Sequence, residues 1–253
     1  RVAHIHGGDR AEGVADEGIR HAITKLSHLH FAATARSAER LLCLGEPAGR
    51  VRLVGSPAID ELASIPPLEE AAWDELGRPR ILMLLHPTGE ADVVEEARCD
   101  LLLDRCLAEG PVLALDPNHD PGRDGIVRSL QRRAGNPGFI HRTHLDRRRF
   151  IGALRRVRVL AGNSSAGRIE AAAIPVRVVD VGPRQAGREC PRHVLHVPGW
   201  DEGSLAAALE RAIHEPIPPF RHPYGDGHTG RRIAAALAEV DPLAVPLAKR
   251  NSF

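Results

Sequence analysis

Apolar and polar residues alternate along this chain in blocks whose period changes. Val2 to Ile5 is a short apolar run that breaks at Gly7-Gly8. Between Asp16 and Ser27, the apolar residues Ile19, Ala22, Ile23 and Leu26 fall at i, i+3, i+4 and i+7. That is one face of a 3.6-residue period, and it predicts a helix. Glu17, Arg20, His21 and Thr24 line its opposite side, by default a solvated face, or else one turned toward a cleft. Asp16 and Glu17 stand in the first turn, where the helix dipole favours negative charge. A strand at 29–33, a helix at 37–44 and a strand at 51–54 follow, and Ser64-Ile65-Pro66-Pro67 reads as a linker. Beyond it, apolar runs at 81–85, 112–115, 139–141, 157–161, 176–181 and 194–197 alternate with helical stretches near 90–109, 122–134, 146–155, 165–173 and 203–214.

Strands alternating with helices predict an α/β fold with doubly wound parallel sheets. The expected organisation is the C-terminal part of a first Rossmann-like domain over 1–66, a complete second one over 67–240, and a tail over 241–253. The three strands of the first part make about half of such a sheet. A preceding segment, rather than a partner chain, is expected to supply the remainder.

Composition narrows the class. The 253 residues are 43% hydrophobic and 26% charged, a globular balance. Lys and Arg total 34 against 33 Asp and Glu, and aromatics are only 3%. Neither a polycationic surface nor stacking platforms are available, so no nucleic-acid partner is expected. The only lysines are Lys25 and Lys249. Arginine, which supplies the other basic residues, is the better phosphate anchor because its planar fork donates two bonds at once. The four cysteines, Cys43, Cys99, Cys106 and Cys190, form no C-x-x-C pair. That argues against a disulfide framework or a zinc ribbon and for a reducing, cytoplasmic setting. No apolar stretch approaches the roughly 18 residues needed to span a bilayer, so no membrane partner is expected.

Ligands of open parallel sheets bind beyond the carboxyl ends of the strands. Here those ends run into His86-Pro87-Thr88-Gly89, Asp116-Pro117-Asn118-His119-Asp120, Gly162-Asn163-Ser164-Ser165-Ala166-Gly167 and Gly182-Pro183-Arg184-Gln185. The third loop is the most specific. Small residues opening a helix would present backbone N–H groups to an anion such as a diphosphate. A plain N-cap at Ser164 or Ser165 is the simpler alternative. Arg184 would face the same crevice. Glu170 could accept from ribose hydroxyls, or be a solvated carboxylate. At the amino end, His4 with His6 and His28 with His30 are spaced to share strand faces. Zinc needs four ligands, or three plus water. Hydrogen-bonded histidines lining a cleft are the simpler reading, and no metal is expected.

Certain blocks are specific in combination: His4-Ile-His-Gly-Gly-Asp9, Asp16-Glu-Gly-Ile-Arg-His-Ala-Ile-Thr-Lys25, Gly55-Ser-Pro-Ala-Ile-Asp60, Gly162-Asn-Ser-Ser-Ala-Gly-Arg-Ile-Glu170 and Gly182-Pro-Arg-Gln-Ala-Gly-Arg-Glu189. Together they resemble the UDP-N-acetylglucosamine 2-epimerase family, in its hydrolysing branch, over residues 2 to 240. The resemblance implies two Rossmann-like domains in a glycosyltransferase-B arrangement. It implies conversion of UDP-GlcNAc and water to N-acetylmannosamine and UDP for sialic or related nonulosonic acids. UDP is eliminated to a 2-acetamidoglucal, then water adds with inversion at C2, with no cofactor and no metal.

By the same resemblance, His86, Asn118, Ser164, Ser165, Glu170 and Arg184 hold UDP, and the backbone near His144-Leu145 meets the uracil. Asp16 matches a catalytic carboxylate, with Glu17 beside it and Arg20 as neighbour. His4 shapes the same cleft, and His6 stands where many relatives carry Glu. A homo-oligomer is also implied. The family's upstream phosphate loop and His-Gly-Asp segment are not in this sequence, so weak or absent turnover is expected of the chain alone. Alternatives are a related epimerase acting on a UDP-2,4-diacetamido-trideoxy sugar, a glycosyltransferase-B transferase, and a non-catalytic UDP-sugar-binding paralogue.

Overall fold

A computed structural model describes residues 1–12 and 16–249 of the chain. The elements begin with β1 (Ala3–Ile5), α1 (Asp16–Leu26), β2 (Leu29–Ala32), α2 (Ala35–Cys43), β3 (Val51–Leu53) and α3 (Glu70–Glu75). Next come β4 (Ile81–Leu84), α4 (Asp92–Glu109), β5 (Val112–Leu115), α5 (Arg123–Arg132), β6 (Phe139–Arg142) and α6 (Arg147–Leu154). The chain continues through β7 (Val159–Gly162), β8 (Arg177–Val181), β9 (Val194–Val197), α7 (Glu202–His214) and α8 (Thr229–Ala238). It is an α/β chain that divides into two compact units. Unit 1 is Arg1–Ala63 with Ala186–Glu189 and Arg221–Phe253; unit 2 is Ser64–Gln185 with Cys190–Phe220.

Unit 1 holds a parallel sheet in the order β1-β2-β3. Helix α2 starts on Thr34, whose hydroxyl accepts the Ser37 N–H at 3.1 Å, an N-cap that satisfies one of the open donors of the first turn. The apolar periodicity of α1 is present, but Ile19, Ile23 and Leu26 are exposed at 56%, 39% and 72%. Thr24, on the other side, is fully buried. A 3.6-residue period shows that a helix has two faces, not which one turns inward. Here polar partners on neighbouring segments draw the charged face in.

Unit 1 also takes in α8, which the expected boundary at 240 had assigned to the second domain. The Asp60 carboxylate accepts the N–H groups of Thr229 and Gly230 at 2.9 and 2.6 Å, and Ile233 packs with Phe31 and Val54. Contacts across some 170 positions of sequence escape any division of the chain into consecutive segments. Of the expected tail, residues 250–253 lie outside the described residues.

Unit 2 carries a six-stranded, all-parallel sheet in the order β6-β5-β4-β7-β8-β9. β5 and β7 are short apolar runs buried on both faces, as parallel sheets require, and β8 is equally buried but carries Arg177 and Asp180. Their side chains join Cys99, Leu102 and Leu103 of α4, Ile126 of α5 and Leu205 of α7 in one core. The order reverses direction between β4 and β7, where a crevice opens at the carboxyl ends of the strands. Gly162 ends β7 there at φ 138°, and a Cβ on it would lie 2.1 Å from the Leu84 carbonyl oxygen. Only glycine lets the two strands run so close at the crevice.

The helix expected over 165–173 is instead two 3₁₀ turns, Ser165–Gly167 and Ala171–Ala173. Pro175 pushes Ile174 into an extended conformation, φ −124° and ψ 133°, and the segment is too short for an α-helix to continue. Among the described residues, no helix is long and apolar enough to cross a membrane.

Candidate functional site

In unit 2 the loops after β4 and β7 are joined across the crevice. The Asn163 side chain accepts the His86 N–H at 2.7 Å and donates to the His86 carbonyl at 2.8 Å. The Asn163 carbonyl in turn accepts from Gln185 at 2.8 Å and from the Arg184 guanidinium at 3.4 Å. The loop after β5 joins them: the Asn118 N–H donates to His86 Nδ1 at 3.1 Å, and the Asn118 amide donates to Asp120 at 2.5 Å. Asp120 lies 3.8 Å from Arg184. Three expected residues, His86, Asn118 and Arg184, thus belong to one hydrogen-bonded lattice.

The lattice sets the chemistry of His86. Burial, followed by the Arg184 charge, lowers its pKa to about 4, so the ring is neutral near pH 7. Its Nδ1 accepts from Asn118, which leaves the proton on Nε2 as a donor. A cavity of about 590 Å³ is lined by His86, Asn118, Phe150, and the segment Thr143, His144 and Leu145. The buried Asn118 Oδ1 has no hydrogen-bond partner among the described residues. The cavity therefore offers a donor and an acceptor above apolar walls, the usual make-up of a small-molecule site.

Ser164, Ser165, Glu170 and Arg184 lie outside this cavity's lining. Ser164 caps the first 3₁₀ turn, accepting the Ala166 N–H at 3.3 Å, so the N-cap reading holds for it. With no α-helix behind the loop there is no macrodipole to add. Any anion here rests on local N–H groups and Arg184. Glu170 is half-buried between the two turns.

Unit 1 gathers the amino-terminal residues around Asp9, which the sequence reading quoted in its motif without a role. Asp9 accepts from Arg188 Nη2 at 2.8 Å and Nε at 3.1 Å and from the Arg10 N–H at 3.0 Å. His6 Nδ1 lies 3.5 Å from it. Burial alone would raise the Asp9 pKa, but His6 and Arg188 overcome that and hold it at about 2. The other His6 nitrogen meets the Ser56 hydroxyl at 2.8 Å. His6 sits at φ 64°, and a Cβ on Gly8 would fall 2.1 Å from the Ser37 carbonyl oxygen, so the His-Gly-Gly-Asp turn has little freedom.

Arg20 donates to the Asp9 carbonyl at 3.3 Å and lies 3.7 Å from Glu17. Glu17 accepts the Ala11 N–H at 3.2 Å and pairs with His21 at 3.1 Å. The face of α1 opposite its apolar stripe thus turns toward the Asp9 loop of the same unit and is not a solvated face. Asp16, by contrast, is exposed at the start of the helix. His4 is buried against Thr24 Oγ1 at 3.1 Å, and burial, then the charges of His30, Arg20 and His6, lower its pKa to about 4. Among the described residues no three His, Cys, Asp or Glu side chains are grouped to hold a metal ion.

Asp9, Arg188, Asn163 and Asp120 were missed as site residues. Asp9 and Arg188 stand inside quoted motifs, and Asn163 inside the small-residue loop. What was lacking was their pairing, which spans up to 179 positions of sequence.

A sequence model of the UDP-N-acetylglucosamine 2-epimerase family matches residues 1–238. UDP-N,N'-diacetylbacillosamine 2-epimerase (hydrolyzing) of Legionella pneumophila is 33% identical over the whole chain, which spans 68% of that protein. UDP-N-acetylglucosamine 2-epimerase of Neisseria meningitidis is 32% identical over 83% of the chain, which spans 56% of it. Among solved structures, UDP-GlcNAc 2-epimerase from Neisseria meningitidis bound to UDP-GlcNAc superposes with a TM-score of 0.77 at 16% identity, over 94% of this chain and 70% of that one. The S. aureus MnaA–UDP co-structure gives 0.75 at 20% identity, over 99% and 70%. At those identities the likeness shows a shared fold.

Proposed function

The chain belongs to the UDP-N-acetylglucosamine 2-epimerase family, and from that premise we propose that it binds a UDP-amino sugar and serves its hydrolysing 2-epimerisation. The observation that carries the reading is the lattice of His86, Asn118, Asn163 and Arg184 at the strand-order reversal of unit 2. A nucleotide base suits the cavity, where the Thr143-His144-Leu145 segment supplies backbone groups and Asn118 Oδ1 an acceptor. The diphosphate falls to Arg184, to the His86 Nε2 donor and to the N–H groups around Ser164 and Ser165. Arg184 supplies the fork geometry that phosphate oxygens favour. Glu170 is assigned to the ribose hydroxyls.

In the proposed reaction, the C2 proton leaves as the C1–O bond to UDP breaks, giving a 2-acetamidoglucal. Water then adds at C1 and a proton returns to C2 from the other face, so the products are N-acetylmannosamine and UDP. Unit 1 is assigned the proton transfers. His6, oriented by Asp9 on one nitrogen, has the imidazole–carboxylate arrangement of a general base. Glu17 and Arg20, tied to the Asp9 loop, are assigned to the same group, with His4 neutral behind them. Asp16, exposed at the helix start, is assigned the smaller part.

A second substrate, a UDP-2,4-diacetamido-trideoxy sugar, is favoured by one observation: the whole-chain similarity to the Legionella pneumophila enzyme. Calorimetric titration of UDP into the chain tests the nucleotide site. Binding weakened about tenfold or more by Arg184→Ala, and to a smaller degree by Glu170→Ala, supports it, since charged hydrogen bonds contribute roughly 1.5–3 kcal/mol. A folded chain that binds no UDP overturns it. Release of 2-epimerised amino sugar from the two candidate UDP-sugars then separates the substrates. Binding without release, even in a chain extended to the full length of its relatives, favours a non-catalytic paralogue, and acceptor-dependent release a transferase.

A further inference from the structure

The carboxylate of Glu46 is fully buried and takes no part in the chemistry proposed above. Both lysines of the chain converge on it. Lys25 Nζ lies 3.3 Å from Oε1 and Lys249 Nζ 2.5 Å from Oε2, while His30 Nε2 meets Oε2 at 2.8 Å. Burial raises the Glu46 pKa, but the bond from Lys249, the His30 charge and the bond from Lys25 outweigh it, and the group is held below its ordinary value. It is an ionised anion inside unit 1.

Two of its three partners also grip the last turn of α1. Lys25 belongs to that helix, and it donates to the Leu44 carbonyl as well. Lys249 donates to the Thr24 carbonyl at 2.8 Å. The Thr24 hydroxyl meets His4, next to the His6–Asp9 pair. The residues before Lys249 are tied down too: the Leu247 carbonyl meets His28 Nε2 at 3.1 Å and the Val245 carbonyl accepts from Arg1 at 2.9 Å. With Ile19, Ile23 and Leu26 exposed, α1 has no apolar seam to fix its rotation, and Thr24 is its one buried residue.

We propose that Lys249 is a positioning residue: by bridging the buried Glu46 carboxylate and the Thr24 carbonyl, it straps the C-terminal segment over the end of α1 and fixes the helix face that bears Glu17 and Arg20. The strap explains why an ammonium stands here in an arginine-rich chain. Its compact head serves two acceptors, on different elements, from one point, which a planar fork does less well. The role assigned to Glu17 and Arg20 rests on the reading of function above; the strap itself does not.

The test is hydrogen exchange by mass spectrometry on the full chain, comparing Lys249→Met and Lys249→Arg with the parent. Lys249→Met is expected to speed exchange of peptides covering 16–26 at least tenfold, with peptides from α2 and unit 2 unchanged. Lys249→Arg, which keeps charge and a donor, stays within about threefold of the parent. Unchanged exchange at 16–26 in Lys249→Met overturns the proposal. So does an equal rise throughout unit 1, or an equal loss in both variants, since either shows that tail packing and not the charge orders the helix. Where the parent turns over UDP-sugar, Lys249→Met is expected to lower kcat about tenfold with KM and UDP affinity unchanged. A parent that binds no UDP defeats the functional reading alone, and the exchange result still decides the strap.

Discussion

The two units solve the same problem, a parallel sheet packed by helices, with different materials. Unit 2 is held chiefly by an apolar core that runs from Ile81 and Val112 through Leu102, Leu103 and Ile126 to Leu205 and Val179, with one buried ion pair, Arg168–Asp180, beside it, and its expected site residues gather at the strand ends. Unit 1 buries His4, Asp9, His30 and Glu46 around a short sheet, beside an apolar cluster of Phe31, Val54 and Ile233. Apolar burial is non-directional and nearly indifferent to pH. Buried ionic groups are directional, and they punish the loss of a partner. The contrast separates a scaffold built mainly on apolar burial from a region whose side-chain geometry is itself the product of folding.

The largest effects should break the two units in different ways. Asp9→Asn leaves the Arg188 guanidinium, 5% exposed, without its anion, and should cost unit 1 about 3–5 kcal/mol. Leu103→Ala in unit 2 should cost a similar amount, roughly 2–5 kcal/mol. Chemical denaturation at several pH values distinguishes them. The native Asp9 pKa of about 2 lies below the 3.8 of a free aspartate, so its contribution is present above pH 4 and lost as the pH falls toward 2. The deficit of Asp9→Asn should therefore shrink across that window, while that of Leu103→Ala stays flat. Equal pH dependence of the two variants would erase the distinction between the units.

A smaller, shared effect comes from the histidines. His4 and His86 each fall from 6.5 to about 4 on folding, so both units lose stability as the pH drops from 6.5 through 4. The slope is worth up to roughly 3 kcal/mol per group. His4→Gln should flatten the loss in unit 1 and His86→Gln that in unit 2, read as segment-resolved exchange at pH 7 and pH 5. The smallest effect is on the outer face of α1. Ile23→Ser should change stability by no more than about 0.5 kcal/mol, because the side chain is already 39% exposed. A much larger cost would mean that this stripe is covered in solution.

The contrast also explains what the sequence made legible. Strands buried on both faces are written as continuous apolar runs, so β4, β5, β7, β8 and β9 were readable, and with them the loops bearing His86, Asn118 and Arg184. The helix after Ser165 was misread because Pro175 and the brevity of the segment outweigh its alanines. In unit 1 the period of α1 was readable but its inward face was not. That choice is made by Asp9, Glu46 and His4, each reached only through the folded chain. The pairing of Arg188 with Asp9 likewise leaves no local trace, since neither residue is unusual where it stands.

The four residues Ala186–Glu189 belong to unit 1 although unit 2 flanks them on both sides. The polypeptide thus passes between the units four times, at 63/64, 185/186, 189/190 and 220/221. No single junction separates them. Recombination that exchanged either unit at one boundary would carry Arg188 away from Asp9 or α8 away from Asp60. The two units are bound to be inherited, and to diverge, as one piece.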